Sequence, residues 1–257
     1  MATVAGIVTA MAERTRPESA AAWDPVGLQL GDPGARVESV GVCHEVTEAV
    51  VSAIEETPVD LLVTYHPLLF EPVNRILAGR SPSARAYRLL AARVNLVVTH
   101  TDFDAAPGGT ADALAAALKL HDIFPFGADE VEGIPAIGRI GGFEGTLEAL
   151  EVRVADACGS NSLRVSGDRD RRLERVAVVP GSGAGFIDPA ASLADALVTG
   201  DVSHHRVVRA LDQGLAVIDP GHVATERPGM VALVGLVADV VGGRVADLTH
   251  IDPETWG

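Results

Sequence analysis

An α/β fold is predicted for this chain by three observations. Short, continuous apolar runs rich in Val, Leu and Ile recur along it, and segments with helical spacing separate them. Ligand-type side chains then follow several of the runs: Tyr65-His66-Pro67, His100-Thr101-Asp102-Phe103-Asp104 and Gly221-His222-Val223-Ala224-Thr225-Glu226. Side chains emerging at strand ends are how α/β proteins build metal and active sites.

Thr3–Arg14 reads as an opening helix, followed by a Pro/Gly-rich loop that holds Trp23–Asp32. Ser39–Cys43 is expected to be a strand, Thr47–Glu56 a helix and Asp60–Thr64 a short buried strand. Ser83–Arg93 looks helical, the β-branched Asn95–Thr99 extended, and the alanine-rich Gly109–Lys119 helical. Continuous apolar strands alternating with helices predict a mostly parallel sheet covered on both faces. A second section starts near Phe124-Pro125-Phe126-Gly127. Its expected strands are Ala136–Phe143, Ser162–Val165, Arg175–Val179, Ala196–Thr199 and Ala216–Asp219, with helices at Leu147–Cys158 and Ser203–Gln213. A last helix around Pro228–Val241 and a strand at Arg244–Leu248 complete the reading.

Apolar residues make up 47% of the chain, enough for a globular core rather than a disordered chain. No apolar run reaches the ~18–20 residues that span a bilayer. The start, Met1-Ala2-Thr3-Val4-Ala5, lacks the basic residues of a signal peptide, and Cys43 and Cys158 have no CxxC spacing, so a soluble cytoplasmic protein is expected. A net charge of −15 argues against a broad grip on nucleic acid. Lys119 is the only lysine; acid excess with so little lysine resembles salt-adapted proteins. A GC-rich genome is the alternative, though it accounts less well for the acid.

His222 and Glu226 are spaced i,i+4, so on a helix they share a face and can hold one ion. Spacing alone describes an ordinary surface pair more often. In an extended stretch His100, Asp102 and Asp104 project to one side. His66 follows an apolar strand, and Pro67 restrains the chain there. Three such clusters, each at the end of an apolar run, point to a metal or catalytic site. Asp201, in Thr199-Gly200-Asp201-Val202-Ser203-His204-His205, reads as a helix cap or a site residue; of His204 and His205 at most one can face a shared site. Gly181-Ser182-Gly183-Ala184-Gly185 suggests either a phosphate cradle or a tight strand-to-helix turn, and it lacks the other residues of a P-loop.

These segments, in chain order, resemble the GTP cyclohydrolase I type 2 homologue family, whose members carry a dinuclear metal centre in a toroidal hexamer. The family's "WDNxGLxxGD" is similar to Trp23–Asp32, "HHPxxF" to Tyr65–Phe70 and "HTxxDxxxGGxxD" to His100–Asp112. Likewise "GxGRxG" looks like Ile137–Gly141, "GGSG" like Pro180–Gly183, "TGDxxxH" like Thr199–His205 and "IDxGHxxxE" like Ile218–Glu226. The resemblance implies one metal on His66, Asp104 and Glu226, and a second on Tyr65 and His222 with Glu226 bridging. It puts His100 beside the site and Asp201 and His205 near it; in the HxDxD run itself, one group such as Asp104 reads as a metal ligand and another, such as Asp102, as a group that orients a ligand.

Three positions depart from the family pattern. Tyr65 replaces the first histidine of "HHP", Pro25 an asparagine, and Glu45 an aspartate after the first long strand. A phenol must lose a proton with a pKa near ~10 before it can ligate, so Tyr65 needs a strongly acidic ion such as ferric iron. The second site is accordingly expected to be weaker, iron-selective or empty.

The resulting expectation is two α/β domains with mixed sheets flanked by helices, the second inserted before the C-terminal return of the first. Residues 1–125 with 220–257 form the metal-binding domain and 126–219 the insert. The expected protein binds one or two divalent ions (Zn, Fe, Mn or Ni) and assembles with itself as a toroidal homohexamer. It is expected to hydrolyse a nucleotide or N-heterocycle with metal-activated water, His100 moving a proton. The alternative is a non-catalytic metal-binding, delivery or regulatory assembly protein. No membrane or nucleic-acid partner is expected.

Overall fold

A computed structural model describes residues 2–127 and 135–251. The chain forms two compact units: one runs to Phe103 and resumes at Leu233, and the other is Asp104–Ala232.

The first unit opens with β1 (Ala2–Thr3) and α1 (Val4–Thr15), whose first turn is capped by Thr3 Oγ1 accepting from Gly6 N at 3.2 Å. Next come β2 (Gly27–Leu30), β3 (Arg36–Val37), β4 (Val40–Cys43), α2 (Glu48–Glu56), β5 (Leu61–Thr64), α3 (Pro82–Ala91) and β6 (Asn95–Val98). The expected strands and helices from Ser39 to Lys119 lie within a residue or two of those observed. The stretch Gly27–Leu30 corrects the expected loop: it is a strand, pairing antiparallel to β6. Its pairing partner lies far away in sequence, so local pattern gave no sign of it. A five-stranded sheet results, in which β4, β5 and β6 run parallel and β2 antiparallel. Cys43, Leu62 and Leu96 line one sheet face and pack against Val50, Ile54, Ala86 and Leu89 of α2 and α3. All four residues of β4, of β5 and of β6 are buried, which is why these strands read as unbroken apolar runs rather than alternating ones.

After β6, α4 (Thr101–Ala105) is a single helical turn, and the chain passes into the second unit. There follow α5 (Thr110–Ala117), β7 (His121–Phe126), β8 (Gly138–Thr146), α6 (Leu147–Cys158), β9 (Arg164–Ser166), β10 (Arg172–Ser182), α7 (Ile187–Leu193), β11 (Ala196–Gly200), α8 (His204–Asp212) and β12 (Ala216–Asp219). The sheet order is β7-β8-β10-β11-β12-β9, with β10, β11 and β12 parallel and the outer pairings antiparallel. The strand period of two divides the core into two faces. Val176, Val178, Val198 and Ile218 pack on one side with Leu114, Leu150 and Val154. Ala177, Val179, Leu197 and Val217 pack on the other with Ile187 and Ala210.

The last helix, α9 (His222–Val241), begins at His222 rather than at Pro228, which lies inside it. The short β13 (Ala246–Asp247) then pairs parallel to β4, within the first unit. Among the described residues no helix is long and apolar enough to cross a membrane.

Candidate metal centre

In the first unit the functional side chains sit just past the C-terminal ends of parallel strands. The ladder between β4 and β5 continues beyond both, with Tyr65 N donating to Cys43 O at 3.1 Å and His66 N to His44 O at 2.9 Å. Thr99 N likewise donates to Thr64 O, extending β6 beside β5. These bonds bring four rings together. The His44 and His66 centroids are 4.9 Å apart, and Tyr65 lies 5.5 Å from His44 and 5.0 Å from His66. His100 stands edge-on to Tyr65 at 5.2 Å and to His66 at 5.3 Å. Tyr65 is 1% exposed and His44 fully buried.

Asp24 holds His100. Its Oδ2 accepts from His100 Nδ1 at 3.0 Å, Thr101 N at 3.0 Å and Thr101 Oγ1 at 2.5 Å, and its side chain is fully buried. Burial pushes this carboxyl up, but the bonds to His100 and Thr101 outweigh it and hold it below the usual value. Committing Nδ1 to a carboxylate fixes the ring orientation. Trp23, half exposed, stacks beside Phe70 and meets the His100 ring edge-on.

The expectation that His100, Asp102 and Asp104 project together from an extended stretch is corrected. Residues from Thr101 on are helical, and positions two apart on a helix point to opposite sides. Asp102 turns back on the strand end, where its Oδ1 accepts from His100 N at 2.7 Å and Thr99 Oγ1 at 3.2 Å. Burial raises its carboxyl despite those bonds. Asp102 thus fastens the turn that carries His100. Asp104 is buried on the same turn.

The second unit carries its own cluster. Asp219, at the end of β12, accepts from Gly221 N and Val202 N, both at 2.9 Å, and pairs with Arg164. It thereby pins the loops after β11 and β12. His222 opens α9 between two carboxylates, with Nδ1 2.7 Å from Asp201 Oδ2 and Nε2 3.0 Å from the buried Glu226 Oε1. Burial alone would lower this imidazole. Hydrogen bonds and charge from Glu226 and then Asp201 outweigh it and raise it to about 9. Both nitrogens facing carboxylates is the geometry of an imidazolium.

Asp201 does not cap α8, as one reading expected: the cap position belongs to Ser203, without a side-chain bond, and Asp201 is turned to His222. His205 is exposed on α8 with its ring edge-on to His204. The glycines act by close approach. Gly181, at φ +65°, would put a Cβ 2.7 Å from Glu226 Oε1, and one on Gly200 would lie 2.6 Å from His222 Cα. Gly181 N also donates to Thr225 Oγ1 at 2.8 Å, so the strand end seats the first turn of α9.

Two residues escaped the sequence reading. His44 directly follows β4 as His66 follows β5, so the strand-end rule applied to Cys43 would have found it. Asp24 lies in a quoted motif, but its bond to a ring 76 residues away has no local sign.

Imidazole and carboxylate side chains thus gather at the carboxyl ends of parallel strands in each of two α/β units, which is where proteins of the α/β class place their functional sites. A family model, Duf34/NIF3 (NGG1p interacting factor 3), matches residues 2–251. The chain belongs to this family. It is 33% identical over 230 residues to a GTP cyclohydrolase 1 type 2 homolog of Streptomyces coelicolor, covering 86% of this chain and 81% of that one. A Nostoc protein of the same description is 32% identical over 240 residues, covering 90% and 89%. Among solved structures, a Staphylococcus aureus protein superposes with a TM-score of 0.90 at 20% identity, covering 100% of this chain and 98% of that one. Reduced HcgD from Methanocaldococcus jannaschii does so with 0.83 at 25% identity, covering 96% and 98%.

Proposed function

We propose that this chain binds metal through His44, His66 and Glu226, and that it is a metal-dependent hydrolase. The observation that carries the reading is the donor set. His44, His66 and Glu226 form a group suited to an ion, and imidazole with carboxylate suits Zn, Fe, Mn or Ni. Asp104 and His222 are the further donors of the reading, and His222 with Glu226 would serve a second ion.

Such an ion supplies Lewis acidity and acidifies water. His44 and His66 would offer ring nitrogens to it, and Glu226 a carboxylate oxygen. Asp201 orients His222 through Nδ1, and Asp24 orients His100, whose Nε2 takes or returns a proton. The relatives described as GTP cyclohydrolase 1 type 2 homologs motivate a nucleotide or other nitrogen heterocycle as substrate. Self-assembly as a homohexamer and a cytoplasmic location belong to the same reading. Tyr65 favours a second one, metal storage or delivery without turnover, because an imidazole ligand of the family motif is missing there.

Metal analysis of protein purified without added metal tests the binding. Wild type is expected to retain metal, and His66→Ala and Glu226→Gln to lose it; equal metal in all three sinks the site. A screen of nucleotides and cyclic amides with and without chelator separates the readings. Chelator-sensitive hydrolysis supports the hydrolase, and metal retained without any turnover supports storage or delivery.

A further inference from the structure

We infer that Trp23 and Phe70 form a stacking shelf beside His100 that takes the face of an uncharged planar nitrogen heterocycle, a base or nucleoside. The inference rests on the hydrolase reading above, whose substrate class it narrows, and its geometry lies wholly within the first unit.

Phe103, Phe126, Phe143 and Phe186 are buried in the core, whereas Trp23 and Phe70 are left 51% and 52% exposed. A single exposed ring needs no explanation. These two are in contact, with centroids 5.6 Å apart and planes tilted by 47°, and Trp23 meets the His100 ring edge-on at 6.2 Å.

Neither ring hangs on a loose loop. Ala21 N donates to Thr101 Oγ1 at 2.9 Å, Asp24 N closes the turn on Ala21 O at 2.9 Å, and Asp24 Oδ2 accepts from His100 Nδ1 and Thr101 N. Trp23 therefore stands in a turn tied on both flanks to the segment that carries His100. Gln29 holds both backbone groups of Leu69: its Oε1 accepts from the N–H at 3.1 Å, and its Nε2 donates to the carbonyl at 3.0 Å. Phe70 follows directly. Rings held from the backbone lose little freedom when a ligand stacks on them, so less of the binding energy is lost to ordering.

Size and charge choose the occupant. An aromatic side chain buries ~150–250 Å² when fully covered, so two half-exposed rings offer on the order of 200 Å². A stable protein interface takes about 800 Å² per partner, so the shelf matches a small planar molecule instead. Stacked carbons sit ~3.5 Å apart, and a sandwich needs about twice that between ring centres. At 5.6 Å and tilted, the pair takes a ligand on its exposed side rather than between its rings. Bases of every kind present a face for such stacking. A net charge of −15 gives a polyphosphate no long-range attraction, so the heterocycle carries the affinity.

In the test, Trp256→Phe leaves Trp23 as the sole tryptophan of the full chain. Its emission is titrated with adenosine, guanosine, ATP and ribose 5-phosphate, in zinc-loaded and in chelator-stripped protein. Both nucleosides are expected to quench it saturably in either form, ATP to bind no tighter, and ribose 5-phosphate to do nothing. In equilibrium dialysis Trp23→Ala and Phe70→Ala should each bind adenosine about tenfold more weakly or worse, while Trp23→Phe keeps most of the affinity. Thermal midpoints should stay near wild type, because both rings are half exposed. Absence of a saturable response to either nucleoside, a response to ribose 5-phosphate, or adenosine held equally well by Trp23→Ala overturns the inference. So does ATP binding about tenfold tighter than adenosine, which would put the affinity on phosphate. Trp23 emission that reddens on dilution as the particle mass falls assigns the shelf to a second copy of this chain, and overturns it too. Chelator-sensitive hydrolysis with an unchanged KM in Trp23→Ala sinks the shelf and leaves the hydrolase. Nucleoside binding without turnover in either form sinks the hydrolase and leaves the shelf.

Discussion

Asp60 and Asp195 do the same thing in the two units. Each precedes the central strand of a parallel trio and reaches back to the strand before it. Asp60 Oδ2 accepts from Glu38 N and Ser39 N, both at 2.9 Å, and Asp195 Oδ2 from Glu174 N at 2.8 Å and Arg175 N at 3.0 Å. Each backbone carbonyl then receives the N–H that opens the third strand, from Asn95 in one unit and Ala216 in the other. At the opposite ends the units part company. Both have a carboxylate holding an imidazole Nδ1, but Asp24 is fully buried against His100, whereas the side chain of Asp201 beside His222 is 46% exposed. The strand starts share a structural device, and the strand ends share a chemistry set in different solvents. A buried pair fixes a ring rigidly at a large cost if broken, and a wet pair fixes it loosely.

The sharpest way to break this contrast is to remove each acid. Asp24→Ala strands the His100 N–H and both Thr101 donors in a dry pocket and is expected to cost about 3–5 kcal/mol. Asp201→Ala leaves His222 facing water and Glu226 and should cost less than about 1 kcal/mol. Urea unfolding midpoints measure both; equal costs would mean that burial is not what separates the pairs. Next in size are Asp60→Ala and Asp195→Ala, each expected to lose about 2 kcal/mol. The two should agree closely, and a large mismatch would show that the strand starts are not equivalent after all.

Those aspartates also set an acid limb. Burial raises both carboxyls, while the amide bonds, and for Asp195 also Arg171, bring them below the usual value. A depressed folded pKa gives stability that is present above the unfolded value near ~3.9 and is lost as pH falls through the folded one. Asp60→Asn and Asp195→Asn are each expected to flatten the fall in thermal midpoint below about pH 4. An unchanged acid limb in both would remove the carboxylates from the account.

What the sequence made legible follows the range of the interactions. Buried parallel strands announce themselves as continuous apolar runs, so β4, β5, β6, β11 and β12 were readable, and with them His66, His100 and His222 at or just past their ends. A helical His–Glu spacing was readable too, and His222 and Glu226 do meet. The extended reading of His100–Asp104 failed because Asp102 bonds back to the strand end and favours a helical turn, a local competition that alternation does not reveal. β2 was missed because its partner is β6, and Asp24 because its role exists only across the fold. The Gly181–Gly185 segment was open between two readings, since glycine marks close approach without naming what approaches.

A glycine pair gives the effect most specific to the strand ends of the second unit. Gly181 at φ +65° and Gly214 at φ +77° are both left-handed, so alanine at either is strained by about 1–2 kcal/mol. Their surroundings differ. A Cβ on Gly214 meets nothing within 4 Å, whereas one on Gly181 lies 2.7 Å from Glu226 Oε1 and 3.3 Å from His222 Nε2. Gly214→Ala therefore reports the backbone alone, and Gly181→Ala adds displacement of the carboxylate end, which is flexible enough to move without unfolding the helix. Thermal midpoints should fall by similar amounts, and only Gly181→Ala should release metal faster on dialysis. Equal release from the two would mean that Glu226 is placed by α9 itself, and that the glycine serves only the turn.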